Sequence, residues 1–130
     1  MKTFAFLCAA LALACAPHAA SAHELGLSKQ HTACIDKSGN TTAGMIECIG
    51  AEVQRQDAQL NKAYKALMAE LTGPRKTQLQ DTQRLWIKYR DANCAFYADP
   101  DGGTMARVSA NDCMLSAIAA RARELESFRQ

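Results

Sequence analysis

Apolar residues recur at spacings of three and four through the middle of this 130-residue chain, and this periodicity constrains the fold more than any other feature. The stripe consists of Met45, Ile46, Ile49, Val53, Leu60, Tyr64, Leu67, Met68 and Leu71. Such spacing places side chains on one face of an α-helix, whereas a half-buried β-strand would alternate apolar and polar residues. The pattern predicts one long amphipathic helix that begins near Gly44 and ends near Leu71.

Two groups of turn-forming residues divide the rest of the chain. Thr72-Gly73-Pro74 ends the first helix, because glycine is favoured just after a helix and proline is tolerated in the first turn of the next. A second helix is predicted to run to about Tyr97, before the turn-rich segment 99–103. Apolar positions from Leu115 to Phe128 predict a third helix.

No segment alternates as a strand would, so the predicted fold class is all-α. We expect a small three-helix bundle in a domain spanning 44–130, preceded by an N-terminal extension at 23–43. The length suits a single domain.

The first 22 residues have the three parts of a secretory signal peptide. Lys2 gives a positive start, residues 4–16 form an apolar stretch, and Ala20-Ser21-Ala22 is a small-x-small cleavage site. The apolar stretch is shorter than the roughly 20 residues needed to span a bilayer. We therefore predict removal of residues 1–22 and a periplasmic or secreted location. The alternative is a lipoprotein that is lipidated at Cys15.

Removal of the signal peptide leaves an even number of cysteines, as disulfides require. They are Cys34, Cys48, Cys94 and Cys113. No C-x-x-C pair or neighbouring histidine completes a zinc set, and export to an oxidising compartment favours disulfides. Four cysteines allow three connectivities, which the sequence leaves open. Among these we favour Cys34 with Cys48 and Cys94 with Cys113.

The short turn at Gly73-Pro74 predicts that the first two long helices are antiparallel, so that residues equally distant from the turn meet. The expected pairs are Asp57 with Arg90, Asn61 with Trp86, and Tyr64 with Gln83. We interpret these six side chains as a structural polar seam whose hydrogen bonds fix the helix register. A catalytic site of Asp57 with an arginine is the alternative, but no histidine in these helices supplies a second acid-base group.

Two ordered motifs in these helices resemble a known family. D-x-x-L-N-x-x-Y-x-x-L runs from Asp57 to Leu67, and Q-x-x-W-x-x-x-R-D-x-x-C runs from Gln83 to Cys94. The other matching positions are Cys48, Gly102-Gly103-Thr104-Met105, Cys113, Arg121 and Leu125. The chain resembles the LprI lysozyme-inhibitor family of exported bacterial proteins. The resemblance implies an exported helical domain that binds and inhibits a muramidase without catalysis, and it carries over no inhibitory residue.

A muramidase cleft holds two carboxylates, so a protruding cation would suit an inhibitor. Arg75 and Lys76 form a basic tip between the first two long helices and are the candidates for partner binding. The loop 99–107 also protrudes, but Asp99 and Asp101 would repel an acidic cleft. For each loop, a solvated turn without function is the alternative.

Other ligand classes are not predicted. The net charge of +2, with no basic run longer than Arg75-Lys76, argues against nucleic-acid binding. A calcium loop starting at Asp99 would need glutamate at its twelfth position, which is Ala110. Copper binding by His23 and His31 is a further alternative to a frayed terminus. We expect no metal and no cofactor.

The predicted function is therefore an exported envelope protein that resembles lysozyme inhibitors and acts on a muramidase without being an enzyme. The alternative is a structural or accessory module of the periplasm that binds another protein.

Overall fold

The computed structural model describes residues 25–129, which form four α-helices with no strand among them. The helices are α1 (Lys29–Lys37), α2 (Thr42–Glu70), α3 (Gly73–Phe96) and α4 (Gly103–Ser127). The all-α prediction is confirmed, whereas the prediction of three helices is wrong. None of these helices is long and apolar enough to cross a membrane. The predicted signal peptide at 1–22 and the lipidation alternative at Cys15 lie outside the described residues.

The additional helix, α1, lies in the segment predicted as an N-terminal extension. Its N-cap is Ser28, whose hydroxyl oxygen accepts a hydrogen bond from the backbone N–H of His31 at 3.1 Å. The apolar residues of α1 are consecutive, at 33–35, and are too few to predict a helix from the sequence. Because a nine-residue helix is marginal in isolation, its stability has to come from tertiary contacts that the local sequence does not reveal.

Two disulfides join the helices in pairs. Cys34–Cys48 connects α1 to α2 with a Cα–Cα distance of 5.6 Å, and Cys94–Cys113 connects α3 to α4 with a distance of 5.4 Å. This is the connectivity favoured above among the three possible ones, and the fold is disulfide-stapled as predicted.

The hydrophobic core lies mainly between α2 and α4. Its larger cluster comprises Leu60, Ala63 and Leu67 from α2, Ile118, Ala122 and Leu125 from α4, and Leu79 from α3. A second cluster joins Ile49 of α2 to Val108 and Leu115 of α4. Helix α3 contributes a single side chain to these buried clusters. It therefore packs on the outside of the α2–α4 pair, and most of its own surface is exposed.

The connection between α2 and α3 is short, and Gly73 and Pro74 are the residues that allow it. Only Leu71 and Thr72 separate the helices. Gly73 has a φ of +49°, a conformation that costs glycine little. Pro74 occupies the first turn of α3, where a missing backbone N–H is not needed. The predicted break is therefore located correctly.

A buried carboxylate fastens the segment before α1 to α2. Glu52 is fully buried and accepts hydrogen bonds from the backbone N–H of Ser28 at 2.8 Å and from its hydroxyl at 2.6 Å. Gln56 Nε2 and Arg55 Nε donate to the same carboxylate at 2.8 and 2.6 Å. Gln56 Nε2 also donates to the carbonyl oxygen of Gly26 at 3.2 Å. These bonds satisfy a charge that would otherwise be costly to bury.

Stability should depend on the charge of Glu52. Burial alone raises its pKa, but the hydrogen bonds from Gln56, Ser28 and Arg55 outweigh burial and lower the pKa from 4.5 to about 2. The carboxylate's contribution is thus fully present above pH 4.5 and is lost as the pH falls toward 2. We expect E52Q to lose about 3 kcal/mol of unfolding free energy at pH 7, and the difference from the unmutated protein to shrink toward pH 2.

Urea unfolding at a series of pH values measures this difference. Glu47 is an exposed glutamate of the same helix, so E47Q is the matched control and should follow the unmutated protein. A constant difference between E52Q and the unmutated protein from pH 7 to pH 2 would contradict the role of the charge.

The disulfides should also contribute to stability. Their sequence separations are 14 and 19 residues, and closing loops of this size contributes about 3 kcal/mol each by restricting the unfolded chain. We expect dithiothreitol to lower the melting temperature, and C34S/C48S and C94S/C113S each to lower it in part. An unchanged thermal transition after complete reduction, verified by thiol titration, would show that the bridges are energetically unimportant.

Candidate functional site

The predicted polar seam lies along a groove between α2 and α3. The groove has a volume of about 340 Å³, and its lining includes Asp57, Asn61, Tyr64, Gln83, Trp86 and Arg90. Asp57, Asn61 and Tyr64 line it from α2, and Gln83, Trp86 and Arg90 line it from α3. Of the three seam residues on α3, Gln83 is buried, while Trp86 and Arg90 are half-buried.

The hydrogen bonds of this seam do not join α2 to α3 among the described residues. Asn61 Nδ2 donates to the backbone oxygen and to Oδ2 of Asp57, both at 2.9 Å and both within α2. Arg90 donates to Asp91 Oδ1 from two nitrogens, at 2.9 and 2.7 Å, within α3. The expected bonds across the seam are absent because α4, rather than α3, packs along the length of α2.

The polar partner of α3 is Arg121 of α4. Its Nε donates to Gln83 Oε1 at 2.9 Å and its Nη1 to Glu124 Oε2 at 2.6 Å. Its guanidinium carbon lies 5.8 Å from the centre of the Trp86 ring, and that of Arg90 lies 5.0 Å from it. The sequence identified Arg121 as a motif position, but nothing in the spacing paired it with Gln83.

The outer side of α3 exposes three large apolar side chains in a row. Leu85, Tyr89 and Phe96 have exposed fractions of 67%, 66% and 87%, and their spacing of four and seven places them on one helical face. We call these three residues the α3 face. Large apolar side chains that share one exposed face are available to an interaction partner. The sequence did not predict this face, because the site residues predicted on this helix were those expected to meet α2.

The basic tip proposed from the sequence begins the same helix. Arg75 and Lys76 are exposed, and Arg75 Nη1 donates to Gln78 Oε1 at 2.8 Å. Arg75 also lines a cavity of about 310 Å³ whose apolar wall includes Leu71 and Phe128. The tip and the α3 face are therefore carried by one element.

The second predicted loop contains a hydrogen bond between a side chain and the backbone. Asp99 Oδ1 accepts a hydrogen bond from the N–H of Asp101 at 2.9 Å.

Within residues 25–129, no group of three or more His, Cys, Asp or Glu side chains is arranged to hold a metal ion. His31 is buried in α1, and His23 lies outside the described part of the chain.

Arg121 and Arg90 should differ in their effect on stability. Arg121 has an exposed fraction of 5%, and its removal leaves the buried amide of Gln83 without its partner. We expect R121A to lose about 2 to 4 kcal/mol of unfolding free energy. R90A removes a half-buried ion pair and a cation–π contact, and should lose about 1 kcal/mol. Denaturant unfolding of the two variants tests this order, and an equal or larger loss in R90A would contradict it.

A family model and one curated relative match this chain. A family model described as Lysozyme inhibitor LprI matches residues 34–125. An uncharacterized protein of Rhizobium meliloti (strain 1021) is 26% identical over 97 residues, which cover 64% of this chain and 70% of that protein. No solved structure matches the chain. Because the family match covers well over half of the sequence, this protein belongs to the LprI lysozyme inhibitor family.

Proposed function

We propose that this protein is an exported component of the bacterial envelope that binds and inhibits a muramidase without catalysing a reaction. Membership of the LprI family supports this partner class. The signal-like pattern of residues 1–22 supports export. The observation that carries the proposal is the exposed α3 face, which presents apolar side chains where a protein partner can cover them.

The composition of the α3 face suits a protein interface. Tyrosine and phenylalanine are enriched in the cores of interfaces, where large side chains contribute most of the binding energy. Arg84 and Lys88 are exposed beside Leu85 and Tyr89, so charged groups border the apolar residues. This arrangement matches an apolar centre with a polar rim.

Helix α3 also presents this surface rigidly. The disulfide Cys94–Cys113 holds its C-terminal end to α4, and the bond between Gln83 and Arg121 holds its middle. A surface that is already ordered loses less conformational entropy on binding.

The basic tip gives the same helix a group that suits the acidic cleft of a muramidase. Arg75 and Phe96 are 21 positions apart, which is about 30 Å along a helix. We infer that the α3 face contacts the enzyme beside its cleft while Arg75 and Lys76 approach the carboxylates.

The test is lysis of bacterial cell walls by c-type and g-type lysozymes, with and without the oxidised protein lacking residues 1–22. We expect dose-dependent loss of lysis together with direct binding. L85E/F96E should weaken binding at least tenfold, because it buries negative charges in the interface. R75E/K76E should do the same, because it replaces the two cations by anions. A58E, on an exposed position of α2, is the control and should bind as the unmutated protein does.

The outcomes separate the two candidate functions. If no lysozyme is inhibited or bound, the muramidase proposal is wrong, and an accessory module for another envelope protein takes its place. If lysis is inhibited but both double variants inhibit normally, α3 is not the contact surface.

A further inference from the structure

A second groove lies between α3 and α4, on the other side of α3 from the polar seam. Its volume is about 780 Å³, within the range typical of small-molecule sites. Tyr89, Asn93 and Tyr97 line it from α3, and Ser109, Asp112, Ser116 and the ion pair of Arg121 with Glu124 line it from α4. Of these residues, Tyr89 also belongs to the α3 face.

The two walls of the groove are fixed relative to each other. The disulfide between Cys94 and Cys113 joins them toward one end, and Cys113 itself lines the groove. The hydrogen bond of Arg121 to Gln83 joins them further along, at 2.9 Å. A ligand would therefore meet a site that is already formed.

The walls differ in side-chain size. On α3, Tyr89 and Tyr97 have exposed fractions of 66% and 50%, so their rings are accessible to a ligand. On α4, the lining includes Ala117 and Ala120 beside the two serines, which lets a ligand approach the helix closely. Trp86 also lines the groove, but Arg90 and Arg121 lie over its ring. The tyrosines are thus the rings free for stacking.

The polar groups of the groove disfavour an apolar ligand. Ser109, Ser116, Asp112 and the two tyrosine hydroxyls make no hydrogen bond with any other residue that the structure describes. An apolar ligand would bury these groups unpaired, at a cost in free energy.

Arg121 is the cation among the described lining residues, and it is buried and already donates to Gln83 and Glu124. The groove therefore offers no exposed cation to a phosphate or another polyanion. A neutral ligand with many hydroxyl groups and flat apolar ring faces satisfies both the serines and the tyrosines.

We infer that the groove between α3 and α4 binds a neutral oligosaccharide. Tyr89 and Tyr97 stack against sugar rings. Asn93, Asp112 and the two serines exchange hydrogen bonds with hydroxyl and acetamido groups.

The chain contains a single tryptophan, Trp86, and its place in the groove makes its fluorescence a direct reporter of occupancy. The probe is tetra-N-acetylchitotetraose, which is uncharged, titrated into the oxidised protein and checked by calorimetry. We expect a saturable fluorescence change with a matching binding heat. Y97A should weaken binding at least tenfold, and D112A should weaken it severalfold.

The matched control is F96A, because Phe96 is next to Tyr97, is 87% exposed and does not line the groove. F96A should bind the tetrasaccharide normally and a muramidase poorly, whereas Y97A should do the reverse. The two proposals can therefore fail separately. Circular dichroism and thermal melting of both variants establish that they are folded.

Three results would overturn the inference. The first is no saturable signal by either method at millimolar tetrasaccharide. The second is unchanged affinity in folded Y97A. The third is a fluorescence change with trilysine in place of the sugar, which would assign the groove to a cationic peptide that is attracted to Asp112.

Discussion

The packing of α4 along α2 is the interaction on which the rest of this structure depends. Almost all of the buried apolar side chains belong to these two helices, from Ile49 and Leu115 at one end to Leu67 and Leu125 at the other. Because this pair already forms the core, α1 and α3 are added to it by a few specific bonds. Each of the added helices is held by one disulfide and one polar cluster.

The consequences for α3 are the basis of the functional proposals. A helix that contributes one side chain, Leu79, to the buried clusters has most of its surface left for other uses. One side faces α2 across the polar seam, another faces α4 across the larger groove, and the outer side carries the α3 face. The disulfide and Arg121 keep this exposed helix in place, so large apolar side chains remain accessible on a fixed frame.

The two buried polar clusters have different roles in the architecture. Glu52 fixes the segment before α1 to α2, because Ser28 donates two hydrogen bonds to its carboxylate. The same serine caps α1. Arg121 spans from α4 to Gln83 on α3 and also lies over Trp86. In each case a charged side chain sits on the core-facing stripe of a long helix, where the sequence otherwise places mostly apolar residues. That irregularity marks both residues, but it does not reveal their partners.

The sequence by itself determined the three long helices, their breaks and the residues that face the α2–α3 groove. These follow from local chemistry: apolar spacing, the positive φ that Gly73 accepts, and the ring of Pro74. It did not determine α1, whose nine residues include few apolar ones and depend on Cys48 and Glu52 further along the chain. Nor did it determine that α4 would take the place beside α2 that the short turn suggested for α3. Only the tertiary structure decided this, because the choice depends on which helix buries more apolar surface against α2, and Ile118, Ala122 and Leu125 of α4 bury more than the mostly polar α3 can.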